Sequence, residues 1–347
     1  MRRRSFLAAA VGASLPGVLR AVDTTPSGAV GLSCSRKGPT GIISQGEDGA
    51  LLDPNFRWHI GSNTKAMTAA LYARLVDQGR CRWGASVPSL FPTIAAHPAW
   101  TDIRIEELLS HAAGLTDSFV DGDWLDTRRA DPRSAREQRY NLVERVLSSP
   151  PPEQRGAYRY GNLSYVLAGA AIEQATDSTW EQMMRAELFA PLRITGAGFG
   201  APPRSGPWGR AEDGGLLKSV DPLGVADNPP VLWPSGGVHI TTAGYIQFLT
   251  IFLDGGAPLL RSQTLEHLLT PALPHVRYAG GWSLEGSTAS PAAKLTHDGS
   301  NTLWFATAVI DGARGRAYAA LTNCGGERGA AITDSLLKAL DVRQTIT

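Results

Sequence analysis

A serine and a lysine three residues apart open a strongly amphipathic stretch, "WHIGSNTKAMTAALYARLVDQG", residues 58–79. If Ser62 starts a helix, Lys65 falls on the same face about one turn on, and the two could act as nucleophile and base. The plainer alternative is a serine N-cap followed by a solvated lysine. In the chemical reading, the Ser62 backbone N–H and the positive helix end would favour a developing oxyanion. An unperturbed lysine titrates near ~10.4, so a base working at neutral pH needs a downward shift of about 3 units, or ~4 kcal/mol. Burial and a cationic or hydrogen-bonding neighbourhood can supply that shift.

Spacing alone proves little, because Ser335-Leu336-Leu337-Lys338 repeats it inside a plain amphipathic helix at the C-terminus. Partners are needed to steer the proton. Tyr160-Gly161-Asn162 precedes a helical pattern and offers a phenol and an amide from one loop. His297-Asp298-Gly299 ends a strand-like run in "KLTHDGSN". His59-Ile60-Gly61 shares the second spacing, but nothing in its context gives it a role.

These residues must be positioned by elements of both types. "GAVGLSCSRKG" and "TGIISQG" read as strands joined at Lys37-Gly38-Pro39. Met67, Leu71 and Leu75 then recur at helical intervals until Gly79. The middle of the chain is predominantly helical in pattern. Residues 200–236, rich in Gly and Pro, read as a long surface excursion of the kind that often covers a site. A further helix starts behind Thr242, and strands return in "GGWSLEG", "KLTHDGS", "WFATAVI" and "RAYAALTN", the last two turning through Asp311-Gly312. The expected fold class is α/β (α+β): an antiparallel sheet flanked by helices, with an inserted helical lobe. One lobe is expected from about 28–62 and 237–345, the other from about 63–236, with a cleft between them.

Composition suits an ordinary globular protein of 347 residues, with 43% hydrophobic and 19% charged residues. A net charge of +1 gives no footprint for nucleic acid. The opening "MRRRSFLAAAVGASLPGVLRA" reads as an export signal over 1–21, and Arg3-Arg4-Ser5-Phe6-Leu7 looks like a twin-arginine signal. A periplasmic or extracellular protein without a stable membrane anchor is therefore expected. Cys34, Cys81 and Cys324 are too few for a disulfide framework, although Cys34 and Cys324 both lie in strand-like runs and could be neighbours. No metal-binding spacing is present, and neither a metal nor a cofactor is expected.

Taken in order, the motifs resemble those of the serine β-lactamase and DD-peptidase superfamily, especially the branch of class C β-lactamases, family VIII esterases and D-aminopeptidases. "ELLSHAAGL" and "WPSGGVHITTA" add to the likeness, which spans roughly residues 28–340. The resemblance implies an acyl-enzyme hydrolase in which Ser62 attacks a carbonyl and Lys65 and Tyr160 share proton transfer. Asn162 would orient Lys65, and the backbone N–H groups of Ser62 and Ser300 would form the oxyanion hole. His297, Asp298, Gly299 and Asn301 would meet a small-molecule or peptide substrate, with Gly299 letting it lie against the strand.

Several departures from the family pattern bear on substrate. Gly161 replaces the usual serine, which removes a hydroxyl. The segment after His111 reads as structural, and Tyr245 stands where an acid would complete a capping box with Thr242. Asp298 stands where relatives that bind a carboxylate carry threonine. If its side chain faces the cleft, repulsion at ~4 Å would amount to several kcal/mol at an effective dielectric of ~20. Strand alternation could equally turn it away. The expected substrate is an uncharged ester or amide; the competing readings are a DD-carboxypeptidase or β-lactamase, separated by substrate charge, and a non-catalytic binding protein on the same fold.

Overall fold

The computed structural model describes residues 28–46, 51–213, 216–285 and 294–345. The expected export segment, 1–21, lies outside the described residues. Among them the strands are β1 (Gly28–Ser35), β2 (Gly38–Gly46), β3 (Arg57–His59), β4 (Ala197–Phe199), β5 (Arg210–Asp213), β6 (Leu216–Ser219), β7 (Val238–Thr241), β8 (Tyr278–Ala279), β9 (Trp282–Glu285), β10 (Lys294–Ser300), β11 (Phe305–Asp311) and β12 (Arg316–Thr322). A seven-stranded antiparallel sheet runs in the order β2-β1-β12-β11-β10-β9-β8. It is drawn from both ends of the described chain, with helices against it.

Side-chain alternation explains its faces. In β11, Ala306, Ala308 and Ile310 are buried while the residues between them are partly exposed. These three join Met67, Leu71 and Leu75 in the main core. On the opposite face Leu336, from the C-terminal helix Gly326–Thr345, packs with Ala29 and Ala320. The repeated serine-lysine pair of that helix faces water, and Lys338 bonds Asp334 at 2.6 Å.

The first hairpin turns at Arg36-Lys37, one residue earlier than the pattern suggested, because Gly38 already pairs with Ser35. The helix Thr242–Thr250 is capped by Thr241, whose hydroxyl accepts the Gly244 N–H at 3.2 Å. The box expected at Thr242 is therefore out of register, and Tyr245 is a buried core ring. Residues 200–236 are more than a surface cover: they hold the β5–β6 hairpin, and the short helix Trp233–Gly236 buries Pro234 and Ser235 against the Lys65 helix. Cys34 pairs with Ala317 near one end of β12, whereas Cys324 follows its other end. None of the three cysteines forms a disulfide among the described residues. No helix among the described residues is long and apolar enough to cross a membrane.

The helical part is locked by a buried ion cluster. Arg139, in the helix Ala135–Leu147, lies 2.6 Å from Glu173 and 3.0 Å from Glu181 with its side chain fully buried. Removing the cation strands Glu173 in the interior. Arg139→Met should lower unfolding stability by ~3–5 kcal/mol in a urea titration; an unchanged midpoint would show that the carboxylates relax into water.

Candidate active site

Strand β3 delivers the chain into a single 3₁₀ turn, Gly61–Asn63, that runs directly into the helix Thr64–Asp77. The Ser62 side chain caps neither element, and Lys65 is completely buried. The plain reading of a cap followed by a solvated lysine therefore does not describe this turn.

Lys65 Nζ lies 3.1 Å from Ser62 Oγ, 2.9 Å from Asn162 Oδ1 and 2.9 Å from the Ser235 carbonyl oxygen. Two of these partners can only accept. A neutral amine that donates one N–H to each has its lone pair left for the Ser62 hydroxyl, whose hydrogen can point toward it. Burial lowers the Lys65 pKa to about 7, against an opposing pull from Asp117. The amine also lies 4.8 Å from the centre of the Tyr160 ring. Tyr160 is 43% exposed at the rim, yet loss of water around its hydroxyl raises its pKa, partly offset by hydrogen bonding with Ser62. At neutral pH the phenol carries its proton and can give one.

Asp117 was not legible in the motifs. Its carboxylate accepts the backbone N–H groups of Asn162 at 2.6 Å and Leu163 at 3.0 Å, closing the start of the helix Leu163–Thr176. It thereby sets where the Asn162 amide points. Gly161 is part of this arrangement, since a Cβ there would sit 2.9 Å from Asp117 Oδ1. The change from serine thus makes room for a carboxylate, beyond the loss of a hydroxyl. His111 itself belongs to the site wall: the centre of its buried ring lies 4.6 Å from that of Tyr160 and 4.7 Å from that of Tyr278.

On the facing strand β10, His297 is buried and shares a 3.0 Å hydrogen bond with the Tyr278 hydroxyl. Burial, reinforced by Lys65, lowers its pKa to about 3, so it is a neutral imidazole. Gly299 has a further part, in the packing of the strand against the serine turn. A Cβ there would sit 2.2 Å from the Ile60 carbonyl and 2.8 Å from the Ser62 nitrogen, so its bareness lets the strand meet the serine turn. Gly61, at φ +50, does the same from the other side, 2.3 Å from the Ser300 nitrogen by the same measure. The backbone N–H groups of Ser62 and Ser300 are thus brought to adjoining segments, as an oxyanion site requires.

Two expected substrate contacts are corrected. Asp298 is exposed on the opposite side of β10 from His297, where its carboxylate accepts the Thr307 hydroxyl at 2.8 Å. Strand alternation turns it away from any substrate contact, although its charge still contributes to raising the Tyr160 pKa. Asn301 has no capacity left for a substrate: its Nδ2 donates to Ala226 O and Asp227 Oδ1, and its Oδ1 accepts from Leu303 and Trp304 N–H.

The Beta-lactamase family model matches residues 35–342, and the chain belongs to that family. Its sheet and helices are those of the serine β-lactamase/transpeptidase superfamily, a class of hydrolases. Among curated relatives, "Penicillin-binding protein 4" of Amycolatopsis lactamdurans is 27% identical over 309 residues, covering 82% of this chain and 77% of that one. A penicillin binding protein from Bacillus halodurans shares the fold at TM-score 0.72 and 18% identity, with 90% and 96% of the two chains covered. A D-stereospecific amidohydrolase from Streptomyces sp. does so at 0.66 and 20%, covering 87% and 91%.

Asp117 holds the Lys65 pKa up, so its removal should lower it. The acid limb of kcat/KM for an ester should have its midpoint near 7 in the unaltered protein and move to lower pH in Asp117→Asn. A midpoint that stays or rises would show that Asp117 acts on Asn162 alone.

Proposed function

We propose that this protein cleaves an ester or amide bond through an acyl-Ser62 intermediate. The observation that carries this reading is the Lys65 amine, 3.1 Å from Ser62 Oγ with its other two partners confined to accepting. Neutral Lys65 takes the Ser62 proton as Oγ attacks the carbonyl carbon, and the Ser62 and Ser300 N–H groups receive the developing oxyanion. The proton then passes by way of Tyr160 to the leaving oxygen or nitrogen as its bond to carbon breaks. In the second half, water attacks the acyl carbon while the same base takes its proton, and Oγ leaves with a proton returned. Asn162 holds Lys65 in place throughout.

An uncharged substrate is the preferred class. His297 is neutral and shares its Nε2 with Tyr278, so the position where relatives carry lysine offers no cation to a carboxylate. A second reading, a penicillin-recognising peptidase, draws on the likeness to a protein named for binding penicillin. We place the activity outside the cytoplasm on the strength of the twin-arginine-like start.

Intact mass after brief exposure to a short-chain p-nitrophenyl ester and, separately, to benzylpenicillin distinguishes these readings. Ester turnover lost in Ser62→Ala, with neither a penicillin adduct nor penicillin hydrolysis, is the expected result. A stable penicillin adduct absent from Ser62→Ala would replace the preferred substrate with the second reading. Ester turnover that survives Ser62→Ala would remove the mechanism.

A further inference from the structure

His59, the histidine to which the sequence assigned no role, stands directly behind the Ser62 turn. Its Nδ1 accepts the Gly61 N–H at 3.1 Å, which leaves Nε2 to carry the proton in the neutral ring. That Nε2 lies 3.1 Å from Asp227 Oδ1, a close polar contact outside hydrogen-bond alignment, with the two side chains 0% and 7% exposed. The same Asp227 oxygen accepts Asn301 Nδ2 at 2.9 Å. Asn301 in turn accepts the Trp304 N–H, while Ser300 Oγ donates to the Trp304 carbonyl oxygen at 2.7 Å. The His59 ring stacks on Trp304 with centres 5.7 Å apart.

One carboxylate from the 200–236 segment therefore joins both sides of the oxyanion site: the serine turn through His59 and Gly61, and the end of β10 through Asn301. Gly61 and Gly299 are also where the two segments abut without room for a Cβ. Arg129 contributes to the anchor by donating to the Asp227 carbonyl oxygen at 3.1 Å, tying in the helix Gly122–Ala130. His239 lies across from His59 on β7, its Nδ1 engaged by the Gly200 carbonyl at 3.0 Å.

We propose that Asp227 and His59 are positioning residues that set the separation of the Ser62 and Ser300 N–H groups, and with it the fit to the tetrahedral oxyanion. This rests on the reading of Ser62 as nucleophile. Neither residue touches the substrate, so the pair acts on the transition state and leaves ground-state binding alone.

Steady-state hydrolysis of a p-nitrophenyl ester tests this in Asp227→Ala, Asp227→Asn, His59→Phe and the double variant His59→Phe/Asp227→Ala, with Ser62→Ala alongside. Asp227→Ala and His59→Phe should each lower kcat and kcat/KM together by roughly 10-fold to 100-fold, with KM nearly unchanged. Asp227→Asn, which keeps an acceptor oxygen, should recover most of the rate. The double variant should lose little more than either single one, because both cut the same chain of contacts. Folded variants with the parent kcat, losses confined to KM, or multiplying losses would overturn the proposal. An NMR reading of the His59 tautomer in the unaltered protein tests it independently of any variant's folding: Nε2–H is expected, and Nδ1–H would overturn it. Activity that survives Ser62→Ala would instead remove the reading on which the proposal rests.

Discussion

A lysine amine without water is the constraint around which this molecule is arranged. Placing Lys65 at the centre of the protein disfavours its charged form, and the shift from the ordinary value of 10.5 to about 7 is worth several kcal/mol. Folding carries that cost: the unfolded chain binds the proton more readily, so the penalty is full below about pH 7 and fades as pH rises toward 10.5. Surrounding elements keep the amine in place by offering it acceptors. Asn162 comes from the start of the helix Leu163–Thr176, and the Ser235 carbonyl from the wedge Trp233–Gly236. Asp117 works in the opposite direction, holding the pKa near neutrality so that both protonation states are accessible.

The second requirement is closeness of backbone to backbone. The proposed oxyanion site is assembled from a turn at the head of a helix and the end of a strand, far apart in the chain. Gly61 and Gly299 permit that approach from either side. Close packing alone does not fix a separation, and the polar contacts through His59, Asp227 and Asn301 supply a registry that bare glycines lack. The 200–236 segment thus has two roles at the site: its wedge supplies an acceptor to Lys65, and its Asp227 ties the two walls together.

Much of this was readable in the sequence where the information is local. Ser62, Lys65, Tyr160, Asn162 and His297 stand in short motifs whose order points to a family, and the hydrophobic alternation of β11 marks a sheet with one face in the main core. Sequence and structure part where the outcome depends on the rest of the fold. The motif alone leaves Asp298 on either side of the strand, and the strand's orientation turns it to Thr307. The cap assigned to Thr242 belongs to Thr241, a slip of one residue between equivalent letters. Asp117 and the Ser235 carbonyl were invisible, since they reach the site across 45 and 170 residues by packing, and a backbone oxygen has no signature in sequence. His59 was legible as a letter but not as a function, because its partner Asp227 lies in a segment without periodicity.

The central claim is that Lys65 is neutral for much of the time at pH 7, and it can be measured directly. The chain contains five lysines, so side-chain labelling with ¹³C at the ε position gives few resonances, and Lys65→Arg identifies the one that matters. Following its chemical shift from pH 5 to 11 should give a midpoint near 7, apart from the remaining lysines. A Lys65 resonance that titrates with the others near ~10.4 would contradict the account, because the amine beside Ser62 would then be an ammonium throughout the working range.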